Sequence, residues 1–96
     1  MYARVVTVQV QPGNMDEFWR RIREGVPAVQ AIRGFHEARF LTDAHTGTVI
    51  GVTVWETEAD AEASETTSSY IGQMSMMSSF LYESLASKTY EVSVKM

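Results

Sequence analysis

The sequence has no cysteine, only two prolines and only two histidines among its 96 residues. Without cysteine there is no disulfide, no thiol nucleophile and no cysteine-ligated zinc. The histidines have no carboxylates at metal-ligand spacing, so we expect no metal site. Nucleophile-elbow, phosphate-loop and paired-acid motifs are also missing. Any catalysis must therefore depend on substrate positioning and a single weak base.

No apolar run approaches the length needed to cross a membrane, and the formal net charge is −4. The one basic cluster, Arg20, Arg21 and Arg23, is flanked by acidic residues, which is typical of a solvated helix face. We therefore expect no nucleic-acid partner and no membrane partner. The apolar stretch in the first ten residues is too short for a signal peptide and is interrupted by polar residues, so we expect a cytoplasmic protein.

The length predicts a single domain over residues 1–96. A domain of this size buries only roughly two-thirds of the surface of its unfolded chain, so its stability margin is thin. A second subunit that covers an exposed sheet face would widen this margin. Self-association as a homodimer is therefore expected.

Hydrophobic alternation predicts a first strand over residues 2–10. Asn14 is expected to cap a helix that ends at Gly34, and Glu17, three residues on, is expected to complete a capping box. Pro27 lacks the amide proton that a helix interior needs, so a kink or the start of a new helical turn is expected near Gly25.

The same reasoning predicts the second half of the chain. Hydroxyl-rich residues 64–69 compete for backbone hydrogen bonds, so the second helix should break there or at Gly72. The predicted elements are strands over 35–42 and 48–56 joined by the hairpin turn DAHTG, a helix capped by Thr57 that resumes with Ile71, Met74, Met77, Phe80, Leu81 and Leu85, and a strand over 89–95.

This β-α-β-β-α-β order predicts an α+β, ferredoxin-like fold. Right-handed crossovers give an antiparallel sheet of order 4-1-3-2 with both helices on one face. Alternation assigns to the helix-facing side Val6, Val8, Val10, Val52, Val54, Val92 and Val94. It assigns to the opposite face Thr7, Gln9, Arg39, Thr53 and Trp55. A large exposed tryptophan ring on that face would need a partner sheet.

Four segments, QPGNMDEFW, RGF, TDAHTG and VTVWETEADAEA, occur in the order and spacing of a known family. The chain resembles the antibiotic biosynthesis monooxygenase-like family of the dimeric α/β-barrel superfamily over nearly its whole length. The resemblance implies a pair of subunits that form a dimeric α/β barrel, with a pocket between the sheet and helices of each. It also implies that Trp55 points toward the helices, against the alternation, and both orientations stay open.

The resembled family includes cofactor-independent monooxygenases of quinol-like aromatics and haem-degrading enzymes. The haem-degrading branch uses an asparagine of the first strand and a histidine of the second helix. Here the only asparagine is Asn14, and residues 57–87 contain no histidine. Haem degradation is therefore disfavoured and no cofactor is expected. The polar first-strand groups that orient substrate in the monooxygenases are replaced by Val6 and Val8.

Trp55 and His36 are the candidate catalytic residues. Trp55 could stack on a planar substrate with its indole N–H directed at an oxyanion, or could be a core or interface residue. His36 could deprotonate a phenolic substrate, since histidine is the side chain that ordinarily changes its charge near neutral pH, or could be structural.

Four further residues are candidates for substrate binding. Tyr70, Met74 and Met77 could line an adaptable apolar pocket, or could belong to the core. Arg39 could pair with a substrate carboxylate, or with Glu37, Glu91 or a partner subunit.

Two functions remain open from the sequence. The first is a cofactor-independent monooxygenase of a small aromatic or quinol-type compound. The second is a non-enzymatic dimeric module that binds a small hydrophobic ligand or has a structural role.

Overall fold

Residues 1–11, 13–78 and 86–96 are described by a computed structural model of the chain. Pro12 and the predicted helical residues Phe80, Leu81 and Leu85 lie outside these ranges. The described elements are β1 (Tyr2–Gln9), α1 (Met15–Gln30), β2 (Phe35–Asp43), β3 (Thr48–Trp55), α2 (Glu58–Ser64), α3 (Ser68–Ser78) and β4 (Ala86–Glu91).

The four strands form one antiparallel sheet of order β2-β3-β1-β4, which confirms the predicted order read from the other edge. The last strand begins and ends earlier than predicted. Tyr2 is the first residue of β1 and pairs with Glu91, so little of β1 is left to pair with the residues that follow. Beyond that point Val92 donates a backbone hydrogen bond to the carbonyl of Met1, and Val94 is 75% exposed.

The side chains of β3 face the opposite way from the alternation-based assignment. Val8 pairs with Val49 in the buried core, so the residues of β3 at odd positions, Trp55 included, face the helices. The assignment of Val6, Val8 and Val10 to the helix side is confirmed, whereas that of Val52 and Val54 is wrong. The orientation of Trp55 is the one that the family resemblance implies. The segment TVIGVTVW is apolar at nearly every position, so its alternation carries little information about face.

Helix α1 begins after Asn14, as predicted, but without the predicted side-chain cap. The carbonyl of Asn14 accepts the first helical bond, from Phe18, while its side chain makes no capping bond. Glu17, expected to complete a capping box, instead accepts hydrogen bonds from Arg20 and Arg21. The helix runs without interruption through Pro27.

The predicted break of the second helix is confirmed between Ser64 and Ser68. The hydroxyls of Thr66 and Thr67 donate to the carbonyls of Ala63 and Ser64, which terminates α2. The Thr67 hydroxyl also accepts from the Tyr70 N–H and so caps the start of α3. The hydroxyl-rich sequence therefore both ends one helix and begins the next.

The buried core lies between the sheet and the helices. Val8 and Val49 from the sheet contact Phe18 and Ile22 from α1 and Met77 from α3. This layer is incomplete toward the Trp55 end of the sheet, where a cavity opens.

Candidate functional site

A cavity of about 470 Å³ lies between the helix-facing side of the sheet and helices α1 and α3. A volume of this size is within the range of small-molecule sites. Its walls are mostly apolar and include Val6, Val8, Phe18, Ile22, Val26, Val29, Phe35, Phe40, Met74 and Met77. The polar or charged side chains that line it are Arg4, Gln30, His36, Glu37, Thr53, Tyr70 and Gln73.

Trp55 forms one end of this cavity, because the last residue of β3 points toward the helices. Its ring is buried and meets the Phe35 ring edge-on, with centroids 5.6 Å apart. The indole N–H donates to the Thr53 hydroxyl at 3.0 Å. The indole is therefore fixed, and its N–H is already used within the protein. Trp55 can offer a ligand a flat apolar surface, but not the free donor considered from the sequence.

Arg4 is a further cavity residue, and the sequence reasoning did not identify it. It lies on β1 with only 1% of its surface exposed. Its Nη2 donates to the carbonyl of Ala61 and, at 3.0 Å, to the Ser64 hydroxyl, so it joins the sheet to α2. Arg4 has the same parity in β1 as Val6 and Val8. Because alternate residues of a strand lie on the same face, the sequence could have shown that β1 places a polar side chain on its helix-facing side.

The Arg4 guanidinium also contacts two aromatic rings. Its central carbon is 5.6 Å from the centroid of the Trp55 ring and 4.8 Å from that of Tyr70. Such contacts stabilise a cation most when both partners are removed from water. They give the end of the cavity a positive charge held beside two flat rings.

His36 lines the cavity from β2, next to a bulge between Phe35 and Glu37. Its Nε2 is hydrogen-bonded to the Glu56 carboxylate, and the imidazole is partly exposed. In the neutral ring, donation from Nε2 leaves Nδ1 with the lone pair of a general base. The backbone N–H of Glu56 donates to the Gly34 carbonyl at 2.8 Å, which holds the two chain segments together.

Helix α3 supplies the opposite wall of the cavity. Tyr70, Met74 and Met77, the three candidates from this segment, all line it. Gln73 joins them, although the sequence did not single it out. Its side chain occupies the space where a side chain at Gly25 of α1 would lie, so this glycine permits the close approach.

Arg39 is not brought to the cavity. It lies on the opposite face of the sheet, and its exposed guanidinium is 3.8 Å from the Glu37 carboxylate. This contact is one of the pairings considered from the sequence, and an exposed pair of this kind contributes little to stability.

Three described side chains away from the cavity lining, Tyr2, Glu17 and Arg20, have shifted pKa values, and that of Arg20 is raised mainly by its hydrogen bond to Glu17. The negative charge of Glu91 is the main cause that raises the pKa of Tyr2 above its ordinary value. On α1, hydrogen bonds from Arg20 and then Arg21 lower the pKa of Glu17 to about 2. Within the described ranges no group of three or more His, Asp or Glu residues could hold a metal ion. The described helices include none that is long and apolar enough to cross a membrane.

The antibiotic biosynthesis monooxygenase family model matches residues 1–71 of this sequence. No curated protein matches the chain. Several solved structures share its fold.

Three of these structures illustrate the likeness. A proposed antibiotic biosynthesis monooxygenase of Nitrosomonas europaea has a TM-score of 0.84 at 18% identity, covering 98% of this chain and 100% of that one. Rv0793 of Mycobacterium tuberculosis has a TM-score of 0.83 at 10% identity, with coverages of 98% and 96%. A variant of SnoaB, a cofactor-independent oxygenase of Streptomyces nogalater, has a TM-score of 0.84 at 9% identity, with coverages of 99% and 95%. At these identities the likeness is one of fold.

Proposed function

Since the chain belongs to the antibiotic biosynthesis monooxygenase family, we propose that it is a cofactor-independent monooxygenase of a small aromatic hydroxy compound. The observation that carries the proposal is the apolar cavity closed by Trp55, with the His36–Glu56 pair among its polar groups. The similarity to SnoaB, itself a cofactor-independent oxygenase, adds support at the level of fold.

In the proposed reaction the aromatic ring lies against Trp55 and the apolar wall. His36 Nδ1 accepts a proton from the substrate, and Glu56 stabilises the imidazolium that forms. The resulting anion reduces dioxygen directly and forms a carbon–oxygen bond at the ring carbon. One oxygen atom becomes a new carbonyl, and the other leaves as water with the two hydrogens of the substrate CH₂ group. The oxygen molecule is thus the oxidant, and the balance requires no bound cofactor.

Oxygen uptake with anthrone as the quinol-type probe tests this proposal. We expect consumption well above the rate in buffer, and a loss of about 10²–10⁴-fold in His36→Gln, the range for removal of a general base. Glu56→Gln should lower the rate less, because the base itself remains. His45→Gln is the matched control, since it removes the other histidine, which lies in the turn between β2 and β3. A wild-type rate equal to that in buffer would rule out the monooxygenase function for this substrate class.

A second candidate function is a non-enzymatic module that binds a small hydrophobic ligand. The favouring observation is that the Trp55 N–H and the Arg4 Nη2 already bond to the protein itself. Binding of anthraquinone without any oxygen uptake from anthrone would identify this function.

We also propose that the protein works as a homodimer. The face of the sheet turned away from the helices carries Val5, Ile50, Val52 and Val54, and Leu41 on the edge strand β2 is 54% exposed. A cluster of apolar side chains on a sheet face is typical of an interaction surface. The same face of a second copy is apolar in the same way, so two sheets packed face to face would bury both.

A further inference from the structure

Arg4 is the only residue with a permanent positive charge among the described residues that line the cavity. It is almost completely buried, although burying a guanidinium is unfavourable unless its charge and its donors are satisfied. The structure satisfies them only in part.

The donors of Arg4 can be counted. Of five N–H groups, the two on Nη2 are accepted by Ala61 and Ser64. The buried Nε–H has no hydrogen-bond acceptor among the described residues. The Glu65 carboxylate is 3.3 Å from Nε and half-exposed, so it contributes charge from the solvent side without an aligned hydrogen bond. Both described hydrogen bonds of the Arg4 side chain use Nη2, so neither involves Nη1.

A second cavity residue has an unused polar atom. The Gln73 side-chain oxygen is buried and accepts no hydrogen bond from the residues that the structure describes. Buried polar atoms are normally paired, so two such atoms on residues lining one cavity indicate a polar ligand.

We infer that Arg4 makes the Trp55 end of the cavity a subsite for an anionic oxygen group on an aromatic ligand. The Trp55 and Tyr70 rings beside the guanidinium match a flat ring, and the unused Nε–H matches an oxygen of a carboxylate attached to that ring. The inference deepens the proposed function, since it rests on an aromatic ligand occupying this cavity. The ligand class it assigns is the aromatic acids.

The test compares 2-naphthoate with 2-naphthamide, which have nearly the same shape but differ in charge. Isothermal titration calorimetry should give an affinity about 10- to 100-fold higher for naphthoate, the range expected for a charge-assisted hydrogen bond. Arg4→Met should remove this preference, so that naphthoate and naphthamide bind with similar affinities. Equal affinities of the wild-type protein for the two compounds would overturn the inference.

Three further variants separate binding from folding. Arg4→Lys retains the charge while losing the geometry toward α2, so it should keep part of the preference even if it melts earlier. Glu65→Gln removes the competing carboxylate and should strengthen naphthoate binding alone. Arg39→Met removes one positive charge from the opposite face and should change nothing. If Arg39→Met lowers the preference as much as Arg4→Met does, or if Glu65→Gln leaves naphthoate binding unchanged, the subsite is not at Arg4.

The outcome is independent of the oxygen-uptake assay. The calorimetric test uses naphthoate and naphthamide, which have no CH₂ group to be oxidised, so it measures binding alone. Naphthoate preference without oxygen uptake would support the subsite and refute the monooxygenase. Oxygen uptake without a preference for naphthoate would support the monooxygenase function and refute the subsite.

Discussion

Replacing Trp55 by alanine tests whether the wall of the cavity is also part of the stable core. The ring is 1% exposed and lies between Phe35 and the Arg4 guanidinium. Its N–H bonds to Thr53. All of these contacts disappear in Trp55→Ala, whereas Trp55→Phe retains a ring and loses the hydrogen bond.

The expected loss in the free energy of unfolding follows from these contacts. Truncation of a buried tryptophan to alanine destabilises a protein by about 3–5 kcal/mol. Trp55 borders a cavity rather than a filled core, so fewer contacts are lost and we expect about 3 kcal/mol. Trp55→Phe should cost about 1–2 kcal/mol, from one hydrogen bond and part of the packing. Because domains of this size have about 5–15 kcal/mol of total stability, both variants should remain folded.

Urea unfolding followed by far-UV circular dichroism measures both values. Protein concentration must be held constant, because dimerisation would link stability to concentration. The matched control is Ile71→Ala, which truncates a large apolar side chain that is 57% exposed on α3. It should change the free energy of unfolding by less than about 0.5 kcal/mol. A cost for Trp55→Ala no larger than this control would refute the burial of the ring.

Three other predictions concern α1 and the sheet face. Hydrogen bonds from Arg20 are the main cause that lowers the pKa of Glu17 from its ordinary 4.5 to about 2 in the folded protein. The stabilising contribution of the charged carboxylate is therefore fully present above pH 4.5 and is lost as the pH falls toward 2. Urea unfolding midpoints measured between pH 4.5 and pH 2 should fall less in Glu17→Gln than in the wild-type protein. The same pH dependence in both proteins would show that the loss of stability does not come from Glu17. Gly25→Ala places a methyl group against the Gln73 amide, so the Gln73 side chain must rotate away. Alanine is about 1 kcal/mol more favourable than glycine within a helix, and the cost of this rotation offsets that gain. We expect nearly unchanged thermal stability but altered affinity for 2-naphthamide, and unchanged affinity would mean that Gln73 does not shape the cavity. Val52→Lys puts a charge on the proposed dimer face and should reduce the light-scattering mass from twice 10.8 kDa to 10.8 kDa; a wild-type mass of 10.8 kDa would itself contradict the dimer.

The features predicted correctly from the sequence depend on neighbours along the chain. The hairpin turn after β2 forms because Asp43 accepts backbone N–H bonds from the next residues and Gly47 adopts a positive φ. The cap at Thr57 forms because its hydroxyl is three residues from the N–H of Asp60. Even at this range a local rule can fail, since Arg20 takes the Glu17 carboxylate that was expected to complete a capping box.

The cavity depends on contacts between residues far apart in the chain. Arg4 meets Ala61 and Ser64 only because β1 lies beside β3 and α2 contacts both of these strands. His36 meets Glu56, twenty residues later, because a bulge shifts the register of β2 against β3. Periodicity within one segment contains no information about either pairing.

The sequence by itself determined the order of strands and helices and the sheet order. Both follow from hydrophobic period, turn residues and the handedness of crossovers, which act within single segments or between consecutive ones. Only the tertiary structure decided that Trp55 faces the helices, that Arg4 joins it in the cavity and that Arg39 does not. Strand register decides which face each residue occupies, and where both faces of a strand are apolar, register is fixed only when the strand pairs with its neighbours.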